Sequence, residues 1–243
     1  MLSKVKSLSL HGLEGYLVEV QVDISNGMPC WDIVGLPDAS VKEAKERVRT
    51  AIKNSGFDFL SRKIVVNLAP ADLRKEGTYF DLPIAIGILL NMGVIKCANT
   101  NLAFVGELSL DGVLNRINGI LPICIEAKRL GIRKIILPKD NAEEGSVVDG
   151  IEVIGVSSIK ETINYLNNKI MISPEKNKSF KFDFQDDNYY NLDFSDVKGQ
   201  TYIKRALEIA TAGSHNCLLI GAPRSRKDNA CKENSINHAR FNI

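Results

Sequence analysis

This 243-residue sequence has few histidines, no closely spaced pair of cysteines and almost no excess of one charge. Three histidines, and five cysteines without a Cys-x-x-Cys pair, support neither a His-based metal cluster nor a zinc site or disulfide framework. A formal net charge of +2 gives the whole chain no attraction to nucleic acid or membranes, so any such contact needs a local patch. No apolar run reaches the roughly 18 residues that span a bilayer, and the first residues lack a signal-peptide core. The sequence therefore predicts a cytoplasmic protein without a bound metal.

The composition, 44% hydrophobic and 25% charged, is that of a globular protein. Strand-like and helical patterns alternate over residues 1–168, which predicts one α+β domain. Its first three strands, 4–9, 16–23 and 29–34, are separated by turn residues and predict an antiparallel meander. Further strands are predicted at 63–68, 102–108, 134–137 and 153–156, and helices at 38–54, 82–92, 122–130, after Pro138 and at 159–167.

The remainder of the chain divides into three parts. Residues 169–192 are predicted to form a linker, because periodicity is lost and charge increases over 173–191. Residues 193–223 combine a helix at 201–212 with an apolar strand at 215–220. Residues 224–243 have no apolar periodicity and are predicted to be an aberrant tail.

The segment 193–223 resembles the start of an AAA+ ATPase core, in which Gly199 and Gln200 open the helix near the adenine site. A phosphate-binding loop would follow as G-x-x-x-x-G-K-[ST], since backbone N–H groups, a lysine and a hydroxyl must hold the phosphates and Mg²⁺. Here Arg226 replaces the second glycine and Asp228 replaces the hydroxyl residue. The positions that correspond to the nucleotide site, degraded in this chain, are Gly199, Gln200, Gly221, Ala222, Pro223 and Lys227.

A shifted reading frame explains this tail better than substitution does. Permitted codons for residues 224–234, moved by one nucleotide, encode Gly-Val-Gly-Lys-Thr-Met-Leu-Ala-Lys-Arg, which restores the loop and begins a helix. The other interpretation is a natural short tail. The shifted reading frame predicts that the chain is a frameshifted, truncated product without ATPase activity.

The N-terminal part of the chain contains a set of short motifs: Gly-Leu-Pro-Asp at 35–38 with Arg-Val at 47–48, Asn-Leu-Ala-Pro-Ala-Asp at 67–72, Lys-Glu-Gly at 75–77, Phe-Asp-Leu-Pro-Ile-Ala at 80–85, Gly-Glu-Leu at 106–108 and Leu-Pro at 137–138. With these motifs, residues 1–223 resemble the Mg-chelatase-like AAA+ ATPases of bacteria, of the YifB or ComM competence type. The resemblance implies a Lon-protease-like, ribosomal-S5-like fold for residues 1–168. It also implies an ATP- and Mg²⁺-dependent hexameric motor that migrates DNA branches in recombination and transformation.

Two further implications follow from the resemblance. Lon-type proteolysis pairs a serine with a lysine, but this chain has Thr78 after the Lys-Glu-Gly turn and Leu121 at the lysine position, so no catalytic residue is predicted. The alternative function is a non-enzymatic scaffold, in which this inactive domain binds DNA or partner subunits. No motif indicates magnesium insertion into a porphyrin.

Three smaller candidates have competing interpretations. The basic residues of the first long helix could meet phosphates, but the pattern favours a solvated face balanced by Glu43 and Glu46. A polar site and a loop ion-pair cluster explain residues 72–76 equally well. His215 has no companion ligand and is predicted to be a surface or core residue. The helix residues concerned are Lys42, Lys45, Arg47, Arg49 and Lys53, and the loop residues are Asp72, Arg74, Lys75 and Glu76.

Overall fold

A computed structural model of the chain describes residues 2–12, 14–59, 62–96, 101–176, 199–213 and 215–219. The chain divides into two compact units, Met1–Phe180 and Lys181–Ile243. No helix in the described ranges is long and apolar enough to cross a membrane.

The N-terminal unit alternates strands with helices along the chain. Its strands are β1 (Leu2–His11), β2 (Glu14–Ser25), β3 (Cys30–Val34), β4 (Lys63–Ala69), β5 (Leu102–Phe104), β6 (Glu107–Leu108), β7 (Leu114–Asn115), β8 (Lys134–Pro138) and β9 (Glu152–Val156). Its helices are α1 (Ala39–Asn54), α2 (Asp81–Asn91), α3 (Ile120–Arg129), a 3₁₀ turn (Lys139–Asn141), α4 (Ala142–Ser146) and α5 (Ile159–Leu166).

Seven strands form one sheet in the order β3-β4-β2-β1-β5-β8-β9, and β6 pairs with β7 separately. The β1–β2 and β2–β4 pairs are antiparallel, whereas β3–β4, β1–β5, β5–β8 and β8–β9 are parallel. Parallel neighbours need long crossover connections, and α1 supplies the one between β3 and β4. The fold is therefore mixed α/β with a mostly parallel central sheet. The predicted combination of helices and strands in this domain is confirmed.

The predicted three-strand meander is wrong in its third strand. β1 and β2 do form an antiparallel hairpin, but β3 pairs in parallel with β4, and β4 lies next to β2. β4 buries Ile64, Val66 and Leu68, whereas β3 buries only Ile33. The more apolar strand thus occupies the inner position, and β3 forms the edge of the sheet.

Apolar side chains pack on both faces of the sheet. One cluster joins β-strand residues to α1 and α2, and a second joins the other face to α3 and α4. Cys124 of α3 is buried in the second cluster, where desolvation raises the pKa of its thiol to about 12. Of the other described cysteines, Cys30 and Cys217 are exposed free thiols.

Most predicted helices agree with the structure to within a residue or two. Asp38 caps α1 by accepting a hydrogen bond of 2.8 Å from the Val41 N–H. The strand predicted at 102–108 is divided into β5 and β6, because the Gly106 N–H donates to the Tyr79 carbonyl oxygen outside the sheet.

The described part of the C-terminal unit contains one helix, α6 (Thr201–Ala212), with the predicted bounds. The strand predicted at 215–220 is not present at 215–219, where no regular structure forms and no described strand pairs with the chain. Ile220 and the predicted tail at 224–243 lie outside the described residues, as does most of the predicted linker.

Candidate functional site

The Gly-Leu-Pro-Asp and Lys-Glu-Gly motifs meet in one tight junction. Gly35 has a φ of +99°, and a Cβ atom there would lie 2.2 Å from the Leu68 carbonyl oxygen, so a larger residue does not fit. The Lys75 N–H donates to the Leu36 carbonyl oxygen over 3.1 Å, and the Asp38 N–H donates to the Lys75 carbonyl oxygen over 3.0 Å. The junction therefore fixes the start of α1 against the loop at 70–77.

The side chain of Lys75 is buried inside this loop and bonds to its backbone. The residue is 0% exposed, and its ammonium donates to the carbonyl oxygens of Pro70 and Leu73, the latter at 2.7 Å. Desolvation lowers the pKa of Lys75, and the charge of Asp72 opposes that shift. Lys75 thus satisfies backbone acceptors, while Arg74 and Glu76 form an exposed ion pair at 3.3 Å. This arrangement fits a structural loop better than a polar site.

A buried ion pair joins α1 to the first residue of α2. The Arg47 guanidinium donates through Nε to Asp81 Oδ2 at 2.7 Å and through Nη2 to Asp81 Oδ1 at 3.1 Å. Asp81 Oδ2 also accepts from the Leu108 N–H at 3.2 Å. Burial raises the pKa of Asp81, and the Arg47 charge opposes that rise. Arg47 therefore holds elements together and is not available to phosphates.

Thr78, at the position considered for a nucleophile, is engaged with a carboxylate. Its hydroxyl donates to Glu107 Oε2, and the Asn115 side-chain amide donates to Glu107 Oε1 at 3.0 Å. Leu121, at the position of the lysine in Lon-type proteases, is an apolar side chain on α3 whose backbone N–H donates to Glu144. The arrangement stabilises the turn before α2 and the β6–β7 pair.

The predicted nucleotide site is described only at its first two residues. Gly199 and Gln200 both adopt left-handed conformations, with φ values of +76° and +56°, and Gln200 precedes the first residue of α6. Gly221, Ala222, Pro223 and Lys227 lie outside the described residues. His215 is exposed, and its N–H donates to the Ala210 carbonyl oxygen at 2.8 Å.

The sequence alone did not predict an aromatic pair that lies at the edge of the sheet. The rings of Trp31 and Phe59 stack with centroids 5.4 Å apart and planes inclined by 20°. The Arg49 guanidinium lies 5.8 Å from the Phe59 ring centroid. These residues, with Lys45 and Arg62 among others, line a pocket of about 340 Å³, hereafter the Trp31 pocket.

The basic residues of α1 therefore lie in different environments. Arg47 pairs with Asp81, Lys45 and Arg49 line the Trp31 pocket, and Lys42 and Lys53 are exposed. Trp31, the single tryptophan of the sequence, is the one signal that could have suggested this pocket, but its partner Phe59 could not be identified without the β3–β4 pairing. In the part of the chain that the structure describes, no group of three or more His, Cys, Asp or Glu residues could hold a metal ion.

Family models match the chain in two separate segments. The model for subunit ChlI of Mg-chelatase matches residues 20–141. The model for magnesium chelatase, subunit ChlI, matches residues 193–233. The first match includes strands β3, β4, β5 and β8 of the sheet, the Lys75 loop and the Arg47–Asp81 pair, and the second contains α6.

Three curated proteins illustrate the similarity. Competence protein ComM of Haemophilus influenzae is 40% identical over 229 residues, which cover 93% of this chain and 44% of that protein. YifB of Escherichia coli is 40% identical over 228 residues, which cover 93% of this chain and 44% of that protein. Lon protease 2 of Bacillus subtilis is 27% identical over 188 residues, 70% of this chain and 33% of that protein. The chain thus spans less than half the length of these relatives.

Proposed function

This chain belongs to the Mg-chelatase ChlI family, and from that membership we propose that a protein of its relatives' full length is an ATP-driven motor acting on DNA. The reaction that we propose is branch migration of DNA junctions in homologous recombination and natural transformation, by a ring of six subunits in the cytoplasm. The ComM relative is a competence protein by name, which supports DNA as the partner.

The observation that carries the proposal is the second family match. It covers residues 193–233, and this range includes the Gly199-Gln200 turn, α6 and the Gly-Ala-Pro segment at 221–223. A turn, a helix and a glycine-led segment in this order are what an AAA+ core needs on the adenine and phosphate sides of its nucleotide. ATP and Mg²⁺ are therefore the cofactors that we propose for the full-length protein.

The residues of this chain do not suit MgATP. Arg226 adds a Cβ atom where the loop needs a glycine to approach the phosphates, and Asp228 places a carboxylate where a hydroxyl would hold Mg²⁺. The 243-residue chain should show no saturable ATP binding, and Lys227→Ala should leave its response to ATP unchanged. Saturable binding that Lys227→Ala abolishes would contradict this inference.

We propose that residues 224–243 are translated out of frame. The support is the codon argument, in which a one-nucleotide shift restores glycine, glycine, lysine and threonine in register. Sequencing the gene across codon 224 tests it. An in-frame AAA+ continuation after removal of one nucleotide supports the proposal, and a stop codon with no AAA+ coding sequence downstream contradicts it.

We further propose that residues 1–168 form a Lon-like, S5-like domain without protease activity, joined by the 169–192 linker to the AAA+ part that starts at 193. The similarity to Lon protease 2 and the mixed α/β sheet support this assignment. Thr78 in place of the serine and the apolar Leu121 in place of the lysine support the loss of proteolysis.

The motor activity is tested by ATP hydrolysis. The in-frame protein should hydrolyse ATP faster when DNA is added, and changing the restored loop lysine to alanine should abolish hydrolysis, because that lysine contacts the phosphates. Hydrolysis that DNA leaves unchanged would contradict DNA as the partner of the motor.

A further inference from the structure

We propose that the Trp31 pocket is a binding site for single-stranded nucleic acid, in which a base stacks on the aromatic pair and the phosphates meet Lys45, Arg49 and Arg62. The inference deepens the proposed function and rests on its DNA partner, since it names the surface that meets an unpaired strand. No base sequence is selected by such a site, because every base has a face that can stack.

The aromatic pair has the form of a stacking platform. Trp31 and Phe59 pack against the core, but both remain only half-buried, so part of their surface faces solvent at the edge of the sheet. The pocket volume of about 340 Å³ lies at the lower end of the range for small-ligand sites, roughly 300–1,000 Å³. The buried Trp31 indole N–H has no acceptor among the described residues, so it is a donor that remains to be satisfied.

The charges around the pocket suit a phosphate backbone. Lys45 and Arg49 lie one turn apart on α1 and therefore share a helix face, and Arg62 lies just before β4. Within the described ranges, none of these three cations forms an ion pair with a carboxylate. Glu46 is the one acidic residue that lines the pocket, which leaves an excess of two positive charges.

Arg49 connects the two parts of the site. Its guanidinium lies near the Phe59 ring, where cation–π attraction holds it beside the platform. A base stacked on the rings would carry its phosphates toward Arg49 and Arg62. Paired bases in a duplex are already stacked on one another and cannot offer a face to the platform, so the geometry favours a single strand.

Trp31 is the only tryptophan of the chain, so tryptophan fluorescence, excited selectively over the six tyrosines, reports on this pocket alone. A dT oligonucleotide added to the 243-residue chain should quench this fluorescence saturably at low salt, and the matched duplex should quench it much less. An oligo-U strand that quenches similarly also supports the site, since stacking and phosphate contacts are common to both. Absence of quenching by every strand, or equal quenching by polyglutamate, would overturn the proposal.

Paired variants identify the residues involved. Arg49→Gln with Arg62→Gln should weaken binding of a fluorescently labelled dT strand by about ten-fold and reduce the salt slope by about 1.4, since each lost contact removes about 0.7. The matched control, Arg116→Gln with Arg133→Gln, removes two exposed charges elsewhere and should change neither value. Equal loss in both double variants would overturn the site, and thermal unfolding by circular dichroism verifies that both fold.

Failure of this inference and failure of the motor are distinguishable. Quenching needs no nucleotide, so a Trp31 signal in the 243-residue chain, together with an in-frame protein whose ATP hydrolysis DNA does not stimulate, supports the pocket and contradicts the motor. DNA-stimulated hydrolysis without Trp31 quenching, or unaffected by Arg49→Gln with Arg62→Gln, overturns the pocket and leaves the motor supported.

Discussion

One buried lysine shows how a polar motif can be structural. Lys75 stands in a run of charged residues, which would suggest a solvent-exposed loop, yet it is 0% exposed and bonds to two backbone carbonyl oxygens. Burial is tolerable because the amine replaces the water that would otherwise satisfy those carbonyls. A lysine among charged neighbours gives no sign of this in the sequence, since burial accompanies the backbone pairing of Lys75 with Leu36 and Asp38.

The first prediction concerns the pH dependence of this lysine's contribution. Lys75→Met should lower the free energy of unfolding by about 1–3 kcal/mol at pH 7, because two carbonyl groups lose their donor. The folded-state pKa of Lys75 is lowered, so the unfolded chain binds more protons above that pKa, and wild-type stability gains from this group as pH rises toward about 10.4. The deficit of the variant should therefore increase between pH 7 and 10.4, measured by urea unfolding.

The control for this experiment is Lys160→Met, which removes an exposed lysine of α5 and should leave stability nearly unchanged. A Lys75→Met deficit that is constant over the same pH interval would show that desolvation does not act on Lys75 as described.

Among the elements, α1 and α2 are coupled by the Arg47–Asp81 pair. The Asp81 side chain is 1% exposed, so removing Arg47 leaves a carboxylate buried without a counter-charge. Arg47→Met should cost about 3–5 kcal/mol at pH 7. The cost should fall at pH 4, because burial raises the pKa of Asp81 and a protonated carboxyl needs no counter-charge.

Denaturant unfolding at both pH values measures this, with Lys42→Met as the control at an exposed position of the same helix. A double-mutant cycle with Asp81→Asn isolates the coupling between the two side chains. An equal cost of Arg47→Met at pH 4 and pH 7 would disagree with a buried, uncompensated carboxylate.

Local pattern predicted the helices well and strand partners poorly. The spacing of apolar residues and the Asp38 cap sufficed for α1, and apolar periodicity sufficed for α6, since these signals act within a few residues. The position of β3 depends on β4, about thirty residues later, and is decided by which strand buries more apolar surface. The Trp31 pocket depends on that same pairing, which is why the sequence motifs pointed to the family but not to the pocket.

At the scale of the whole molecule, likeness to a protease does not imply proteolysis. The chain is 27% identical to Lon protease 2 over 188 residues, but Thr78 donates to Glu107 and Leu121 offers no amine. The chain should cleave no peptide, because Lon-type proteolysis pairs a serine with a lysine amine and neither residue is present at its position. An active-site acylating probe followed by mass spectrometry should find no label at Thr78, and labelling that Thr78→Ala removes would contradict this prediction.

Branch migration of a labelled four-way DNA junction by the in-frame protein tests the proposed motor most directly. We expect the labelled strand to be transferred when ATP and Mg²⁺ are present. We expect no transfer with a non-hydrolysable ATP analogue, or when the restored loop lysine is changed to alanine. A protein that hydrolyses ATP in the presence of the junction but leaves its strands in place would contradict the proposed function.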